Sequence, residues 1–178
     1  MIFDIEANGL ENATKIHVLA YETPEGIKYT FDYDEMRAVL SEAKLLIGHN
    51  IIMYDIPTIE RILGIKIKAR LIDTLACSWY LNHQRVRHGL EVYGEEYGVP
   101  KPEITDWESL TPEEYAHRCV EDVKINSKLW KGLKKKLLHI YGDKVSAGRL
   151  LDYLSFKMKC AMLQEKSRWK ADKALIEE

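Results

Sequence analysis

"MIFDIEANGL" (residues 1–10) opens the chain, and its apolar side chains at positions 1, 2, 3 and 5 predict a buried strand. Asp4 and Glu6 interrupt that strand two residues apart, so alternation places both carboxylates on one face. Two like charges side by side on a core strand are unfavourable unless something compensates them. A divalent cation would do so, since hard cations bind carboxylate oxygens. The alternative is an edge strand that carries two solvated acids.

Composition favours a globular protein of 178 residues, one domain with room for an appendage, in which 46% of the residues are apolar. No run approaches the ~20 apolar residues of a membrane span, and we expect neither a signal peptide nor membrane contact. Three cysteines without zinc spacing (Cys77, Cys119 and Cys160) indicate reduced thiols in a cytoplasmic protein. A net charge of −2 argues against bulk polyanion binding but permits a small cleft in which metal ions supply the positive charge.

Hydrophobic periodicity predicts an α/β order of elements along the chain. The predicted strands cover 1–6, 15–23, 26–34, 44–50 and 65–75. The predicted helices cover 34–43 with Asp34 as N-cap, 54–64 ended by Gly64, 88–98, and 111 to about 139, with a loop at 99–110. Three consecutive antiparallel strands followed by alternating helices and strands favour a mixed sheet with helices on both faces.

Asp55 is the next candidate acid. A predicted strand ends at His49 and Asn50, and Asp55 begins the helix that follows. Ligands of open α/β sheets gather outside the carboxyl ends of strands, which places Asp55 near Asp4 and Glu6. The alternative makes Asp55 a helix cap and Asn50 a turn residue.

Asp122 is the last candidate acid, inside the long predicted helix. It lies between Val120 and Val123, which face the core at helical spacing. An acid in that position is expected to be paired or bound to metal, the alternative being a boundary aspartate paired with a lysine. Further along this helix, residues 134–136 are three lysines, either a solvated helix end or a contact with a DNA backbone.

Three segments, taken together, resemble the motifs of the DEDD (DnaQ-like) 3′–5′ exonucleases. They are "FDIEANGL" (3–10), "HNIIMYD" (49–55) and "HRCVED" (117–122). Two further stretches, "LIDTLACSWYL" (71–81) and "HGLEVYGEEYG" (88–98), are most similar to the exonuclease domain of single-subunit phage (podophage-type) family A DNA polymerases. The resemblance implies a ribonuclease H-like α/β fold with a mixed five-stranded sheet.

The resemblance also implies a two-metal mechanism, in which Mg²⁺ or Mn²⁺ activates a water and stabilises the leaving oxygen. The implied metal ligands are Asp4, Glu6, Asp55 and Asp122. His117, five residues before Asp122, matches the histidine subgroup and would act as general base. The phage polymerases carry a tyrosine four residues before the last aspartate, and here that position is Arg118.

The implied activity is removal of nucleoside 5′-monophosphates from the 3′ ends of single-stranded DNA or of frayed duplexes. By similarity, eight residues would contact the substrate, with Leu10 against the terminal base: Ala7, Asn8, Gly9, Leu10, His49, Asn50, Tyr54 and Arg118. The alternatives are a turn at residues 7–9 and a core contact for Leu10.

The C-terminal stretch "FKMKCAMLQEKSRWKADKALIEE" (156–178) resembles the connector through which the phage polymerases pass from exonuclease to polymerase domain. We therefore predict an exonuclease domain at 1–142 and a helical extension at 143–178, the alternative being a plain amphipathic helix. Proofreading beside a phage replicative DNA polymerase, in the host cytoplasm, is the implied role. Two rival functions stay open, an RNA exonuclease of the same superfamily and a non-catalytic module that holds DNA or docks on a polymerase.

Overall fold

The computed structural model describes residues 1–99 and 110–167. Within these residues the chain forms a mixed α/β fold of five strands and six helices. The strands are β1 (Phe3–Ala7), β2 (Ile16–Thr23), β3 (Gly26–Thr30), β4 (Leu45–Gly48) and β5 (Arg70–Asp73). The helices are α1 (Tyr33–Glu42), α2 (Asp55–Leu63), α3 (Thr74–Leu81), α4 (Leu90–Tyr97), α5 (Pro112–Tyr141) and α6 (Lys144–Ser167).

The N-terminal strands form an antiparallel sheet in the order β1-β2-β3, as their turn-linked sequence predicts. Along β1, Phe3 and Ile5 are buried in the core, whereas Asp4 and Glu6 keep part of their surface exposed. The register shifts between Glu6 and Ala7, where β1 leaves the regular ladder. Such an irregularity re-aims the side chains beside it, so β1 ends as it presents its two carboxylates.

The predicted single five-stranded sheet is wrong. β4 and β5 form a separate parallel pair, and one bridge between Ile2 and Ile47 joins this pair to β1. The pairing between β1 and β4 is limited to this bridge because β4 ends at Gly48, one residue beyond it. Asn50 then adopts a left-handed conformation with φ of 63°. The chain turns away at the point where a longer β4 would have continued the ladder.

Helix-capping side chains set two element boundaries differently from the sequence prediction. The N-cap of α1 is Asp32 rather than Asp34, because the Asp32 carboxylate accepts the N–H groups of residues 34 and 35. The predicted strand at 65–75 is a strand only over Arg70–Asp73. Asp73 caps α3 by accepting the N–H of Leu75, and this helix was missing from the sequence prediction. Gly64 ends α2 in a left-handed conformation, as predicted.

Helix α5 begins with the capping box that its sequence predicts, formed by Thr111 and Glu114 with Pro112 in the first turn. It packs across β1, β2 and β3. Its buried face includes Val123 and Leu129, and Asp122 is buried beside them. This packing carries Asp122 to the strand that holds Asp4 and Glu6.

Helix α6 packs against β5, α5 and α3. Its buried side chains are Ala147, Leu151, Leu154, Ser155 and Met158. The predicted boundary between 142 and 143 coincides with the break between α5 and α6, and the division into two domains stays a prediction. Residues 100–109 of the predicted loop and 168–178 of the tail lie outside the described residues. Among the helices of residues 1–99 and 110–167, none is long and apolar enough to cross a membrane.

Candidate active site

Three of the predicted metal ligands meet in the structure. One carboxylate oxygen each of Asp4, Glu6 and Asp122 lies within 4.8 Å of the other two. Spacing of two along β1 supplies the first pair, and the packing of α5 on β1 supplies the third acid. Because Asp122 is buried, a cation that neutralises the cluster gains more than it would in open water. Three hard oxygen donors fit Mg²⁺ or Mn²⁺.

Arg118 supplies a positive charge to this cluster. Its Nε lies 3.0 Å from a carboxylate oxygen of Glu6, and both side chains are largely buried. Arg118 precedes Asp122 by four residues, so the two share one face of α5. The predicted phosphate contact of Arg118 stays a prediction, whereas its ion pair with Glu6 is observed in the structure.

His117 is not brought to this site. Its side chain is exposed, and it is absent from the residues that line the cleft, whereas Tyr115, Arg118 and Asp122 all line it. Five residues along a continuous helix correspond to a rotation of about 140° from Asp122. The spacing that suggested a general base therefore places the imidazole on another face of α5.

Cys119 contacts the cluster, although no sequence pattern singles it out. Its buried thiol lies 3.2 Å from the carbonyl oxygen of Asp4 and 3.6 Å from a carboxylate oxygen of the same residue. Burial and the nearby carboxylates of Asp4 and Glu6 raise the pKa of this thiol well above its usual value. A protonated thiol donates, so Cys119 helps to hold Asp4 in place.

Asp55 lines the same cleft but lies outside the three-carboxylate cluster. It is 3% exposed, and this burial, together with the charge of Asp73, raises its pKa well above the usual value of a carboxyl group. A hydrogen bond from the backbone N–H of Ile5 opposes that shift. Asp55 is therefore tied to β1 through the backbone between Asp4 and Glu6.

Asp73 is a second residue that the sequence prediction missed. Its buried carboxylate accepts the backbone N–H groups of Asn50 at 3.0 Å and Ile52 at 3.1 Å. It thereby fixes the turn between β4 and α2. Beside it, the ring Nδ1 of His49 lies 3.0 Å from the Thr74 hydroxyl. Both predicted contact residues of this turn, His49 and Asn50, line the cleft.

The loop after β1 forms one edge of the cleft, which has a volume of about 1310 Å³. Ala7, Asn8, Gly9 and Leu10 all line it, as predicted for contact residues. The Asn8 side chain holds the loop together, because its oxygen accepts the N–H groups of residues 14 and 15. Tyr54 donates its hydroxyl to the Gly9 carbonyl at 2.7 Å, and burial raises the pKa of Tyr54 to about 12.

Exposed apolar side chains line the mouth of the cleft. Leu10 is 86% exposed, Val86 is 97% exposed and Trp79 is 49% exposed. We call these three residues the apolar rim. Trp79 lies on α3, and its indole contacts the ring of His88, a further lining residue, edge to face. Trp79 and Val86 were not among the predicted contact residues.

The same arrangement of elements occurs in solved nuclease structures. Brucella melitensis NrnC bound to pGG superposes with a TM-score of 0.69 at 17% identity, covering 97% of this chain and 89% of that chain. Exonuclease X in complex with 5′ overhanging duplex DNA superposes with a TM-score of 0.51 at 12% identity, covering 86% of this chain and 98% of that chain. The chain has the ribonuclease H-like fold of these nucleases.

This fold also occurs within a polymerase. The family B DNA polymerase of Pyrobaculum calidifontis matches with a TM-score of 0.56 at 16% identity, covering 82% of this chain and 26% of that chain. No protein-family model matches the sequence, and no curated protein matches it either. Identities this low show a common fold, and the chemistry has to be inferred from the site itself.

Proposed function

We propose that this protein is a metal-dependent 3′–5′ exonuclease that releases nucleoside 5′-monophosphates from DNA 3′ ends. The observation that carries this proposal is the meeting of Asp4, Glu6 and Asp122 within 4.8 Å at the side of an open cleft. Phosphodiester hydrolysis needs a site that concentrates divalent cations beside room for a nucleotide. The motif resemblance and the nuclease fold support the same reading.

Asp4, Glu6 and Asp122 would hold the cations, and we assign Asp55 to the second one because it is buried in the same cleft. When bound, two divalent ions activate a water and stabilise the leaving oxygen. NrnC has a solved structure with bound Mg²⁺, which supports the choice of metal. That structure covers 97% of this chain at 16% identity, with a TM-score of 0.65.

The chain's own residues would orient the reactants. Arg118 balances the charge of Glu6, and Cys119 steadies Asp4. Tyr54 holds the Gly9 carbonyl and thereby the loop that would receive the terminal nucleotide. We assign no proton transfer to His117, because its side chain is exposed and does not line the cleft.

Proofreading beside a phage replicative DNA polymerase is the role that we propose for this activity. The resemblance to phage polymerase exonuclease domains supports it, as does the likeness to part of a family B DNA polymerase. In that role, residues 143–178 would connect or dock the exonuclease to the polymerase. The substrate would be a single strand or a frayed 3′ end, because an unpaired end leaves its terminal bases free to stack on the exposed apolar side chains that line the cleft.

A second candidate is a 3′–5′ exonuclease that acts on RNA or on very short oligonucleotides. The specific observation in its favour is that NrnC, which superposes over 97% of this chain, has been captured with pGG. The motifs themselves do not distinguish deoxyribose from ribose. A non-catalytic module that holds DNA is the third possibility, and the intact carboxylate cluster argues against it.

The test uses 5′-labelled oligonucleotides of DNA and of RNA with identical sequence, single-stranded or with a mismatched primer end, each with Mg²⁺, Mn²⁺ or EDTA. Metal-dependent ladders that shorten from the 3′ end, faster on DNA than on RNA, support the proposal. Faster cleavage of RNA or of the shortest oligomers selects the second candidate. Binding of DNA without cleavage under any metal condition overturns the enzymatic proposal.

A further inference from the structure

A second groove of about 770 Å³ adjoins the catalytic cleft, and the function above does not use it. The two cavities share three lining residues, Leu10, Met53 and Tyr54. The second groove then runs between α2, the segment after it, and the end of α6. A strand whose 3′ end lies in the cleft can therefore continue into this groove without crossing the protein.

The charge of this groove differs from that of the whole molecule. Among the residues 1–99 and 110–167, four that line the groove are cations (Arg61, Lys66, Lys159 and Lys166) and one is an acid (Glu60), although the chain as a whole carries −2. We call these four residues the basic groove. All four are exposed. The Lys66 Nζ lies 2.7 Å from a carboxylate oxygen of Glu60, but the lysine side chain is 81% exposed, and a pair that is open to water contributes little, so a phosphate can compete for the lysine.

Two of the four cations lie on helix α6 at a regular spacing. Lys159 and Lys166 are seven residues apart, so they lie on one face of the helix. Their separation of about 10.5 Å along the axis corresponds to about three phosphate intervals of a stacked strand. Met162 and Leu163 lie between them and also line the groove. A single strand in the groove can place its phosphates against the two lysines and its bases against the apolar side chains between them.

The helix dipole does not explain both lysines. Lys166 is in the last turn of α6, where a positive charge is favoured in any helix, but Lys159 is two turns earlier. Arg61 donates to the carbonyl of Ala13, and a guanidinium has further N–H groups that can bind phosphate. The cations of α2 and α6 thus face one groove from both sides.

We propose that the basic groove binds the 5′ portion of a single-stranded nucleic acid whose 3′ end lies in the catalytic cleft. This inference rests on the proposed nuclease function and adds a prediction about substrate length. A dinucleotide is short enough to stay in the cleft, whereas a 12-mer extends into the groove. The groove should therefore increase affinity for long substrates and leave the chemical step unchanged.

The experiment compares a 5′-labelled dinucleotide with a 5′-labelled 12-mer, both single-stranded, in the full chain with Mg²⁺. We expect Lys159→Glu/Lys166→Glu to raise KM for the 12-mer about tenfold, with kcat unchanged and the dinucleotide affected less than about twofold. The matched control is Lys124→Glu/Lys131→Glu, which makes the same charge change at two exposed positions of α5, also seven residues apart, outside both cavities. The control should leave both substrates unchanged.

A binding measurement in EDTA checks the mechanism of that effect. For Lys159→Gln/Lys166→Gln, the slope of log affinity for the 12-mer against log salt should fall by about 1.4, since two phosphate contacts are lost. An equal loss on both substrates, an equal effect of the control pair, or an unchanged salt slope would overturn the inference. If the unmodified protein cleaves neither substrate with metal, the proposed function fails instead, so the two failures are distinguishable.

Discussion

Two parts of the cleft are built in opposite ways. In the first, which we call the carboxylate wall, Asp4, Glu6 and Asp122 are held by a thiol, a guanidinium and the packing of α5 on β1. In the second, the apolar rim, the side chains of Leu10, Trp79 and Val86 are exposed and lie on loops and a short helix. The difference indicates that the carboxylates must be held at fixed positions for the reaction, whereas the rim needs only an exposed apolar surface on which bases can stack.

The largest expected effect comes from removing a charge from the carboxylate wall. Asp122→Asn should lower kcat by about 10³-fold or more, because cation binding at the reacting phosphate is worth several kcal/mol. The control is Glu113→Gln, an exposed acid in the first turn of the same helix, which should keep the original rate. Rates are measured on single-stranded DNA with Mg²⁺, and circular dichroism confirms the fold. A folded Asp122→Asn protein with near-native kcat would contradict the assignment of the wall.

A smaller effect is expected from Arg118→Gln, which removes the ion pair between Arg118 and Glu6. Removing one member of a largely buried pair costs about 3 kcal/mol, so the Tm in EDTA should fall by about 6–12 °C. In Mg²⁺ the fall should be less than half as large, because the cation then compensates the carboxylates. The Tm of both proteins is measured with and without metal. Equal falls in both conditions would show that Arg118 does not balance the charge of the site.

On the apolar rim we expect Trp79→Ala to raise KM about fivefold with little change in kcat, since a stacked base contributes at least about 1 kcal/mol. Tyr80→Ala is the matched control, because Tyr80 is the next residue, is similarly exposed and does not line the cleft. Steady-state kinetics on a single-stranded oligomer separate KM from kcat. A loss of kcat in Trp79→Ala instead would show that this residue contributes to the chemical step rather than to substrate binding.

The smallest effect is expected at His117. Its motif spacing predicts a general base, whose removal costs ~10²–10⁴-fold, but its exposed position on α5 predicts less than a twofold change for His117→Ala. The pH–rate profiles of both proteins decide between the two. A large loss of turnover with a shifted acid limb would show that His117 takes part in the reaction. It would contradict the conclusion that His117 lies on a face of α5 away from the cleft.

Sequence periodicity could predict the carboxylate wall, because a spacing of two on β1 and the apolar neighbours of Asp122 are visible without tertiary contacts. It could not select Cys119 or Asp73. Cys119 acts only because α5 packs on β1, and Asp73 acts by accepting N–H groups from a turn about 20 residues earlier in the chain. His117 shows the opposite limit, because the motif resemblance selected it although a spacing of five from Asp122 on one continuous helix places it on another face.

The sheet shows the same division between local and distant information. The apolar patterns predicted where the five described strands occur, although the strand predicted at 65–75 was too long, but the early end of β4 depends on the left-handed turn at Asn50. That turn is held by Asp73 through a contact between distant parts of the chain. A single continuous sheet was therefore the natural expectation, and the structure forms two joined at the bridge between Ile2 and Ile47.

The most direct test of the account is Mn²⁺ binding measured by calorimetry, because it probes the carboxylate wall without needing a substrate. We predict that the unmodified protein binds Mn²⁺ and that Asp4→Asn/Asp122→Asn loses about 100-fold or more of that affinity. Glu113→Gln, in which an exposed acid of α5 is neutralised, should bind as the unmodified protein does. Equal Mn²⁺ affinity in the double variant and the unmodified protein would contradict the claim that these carboxylates form the metal site.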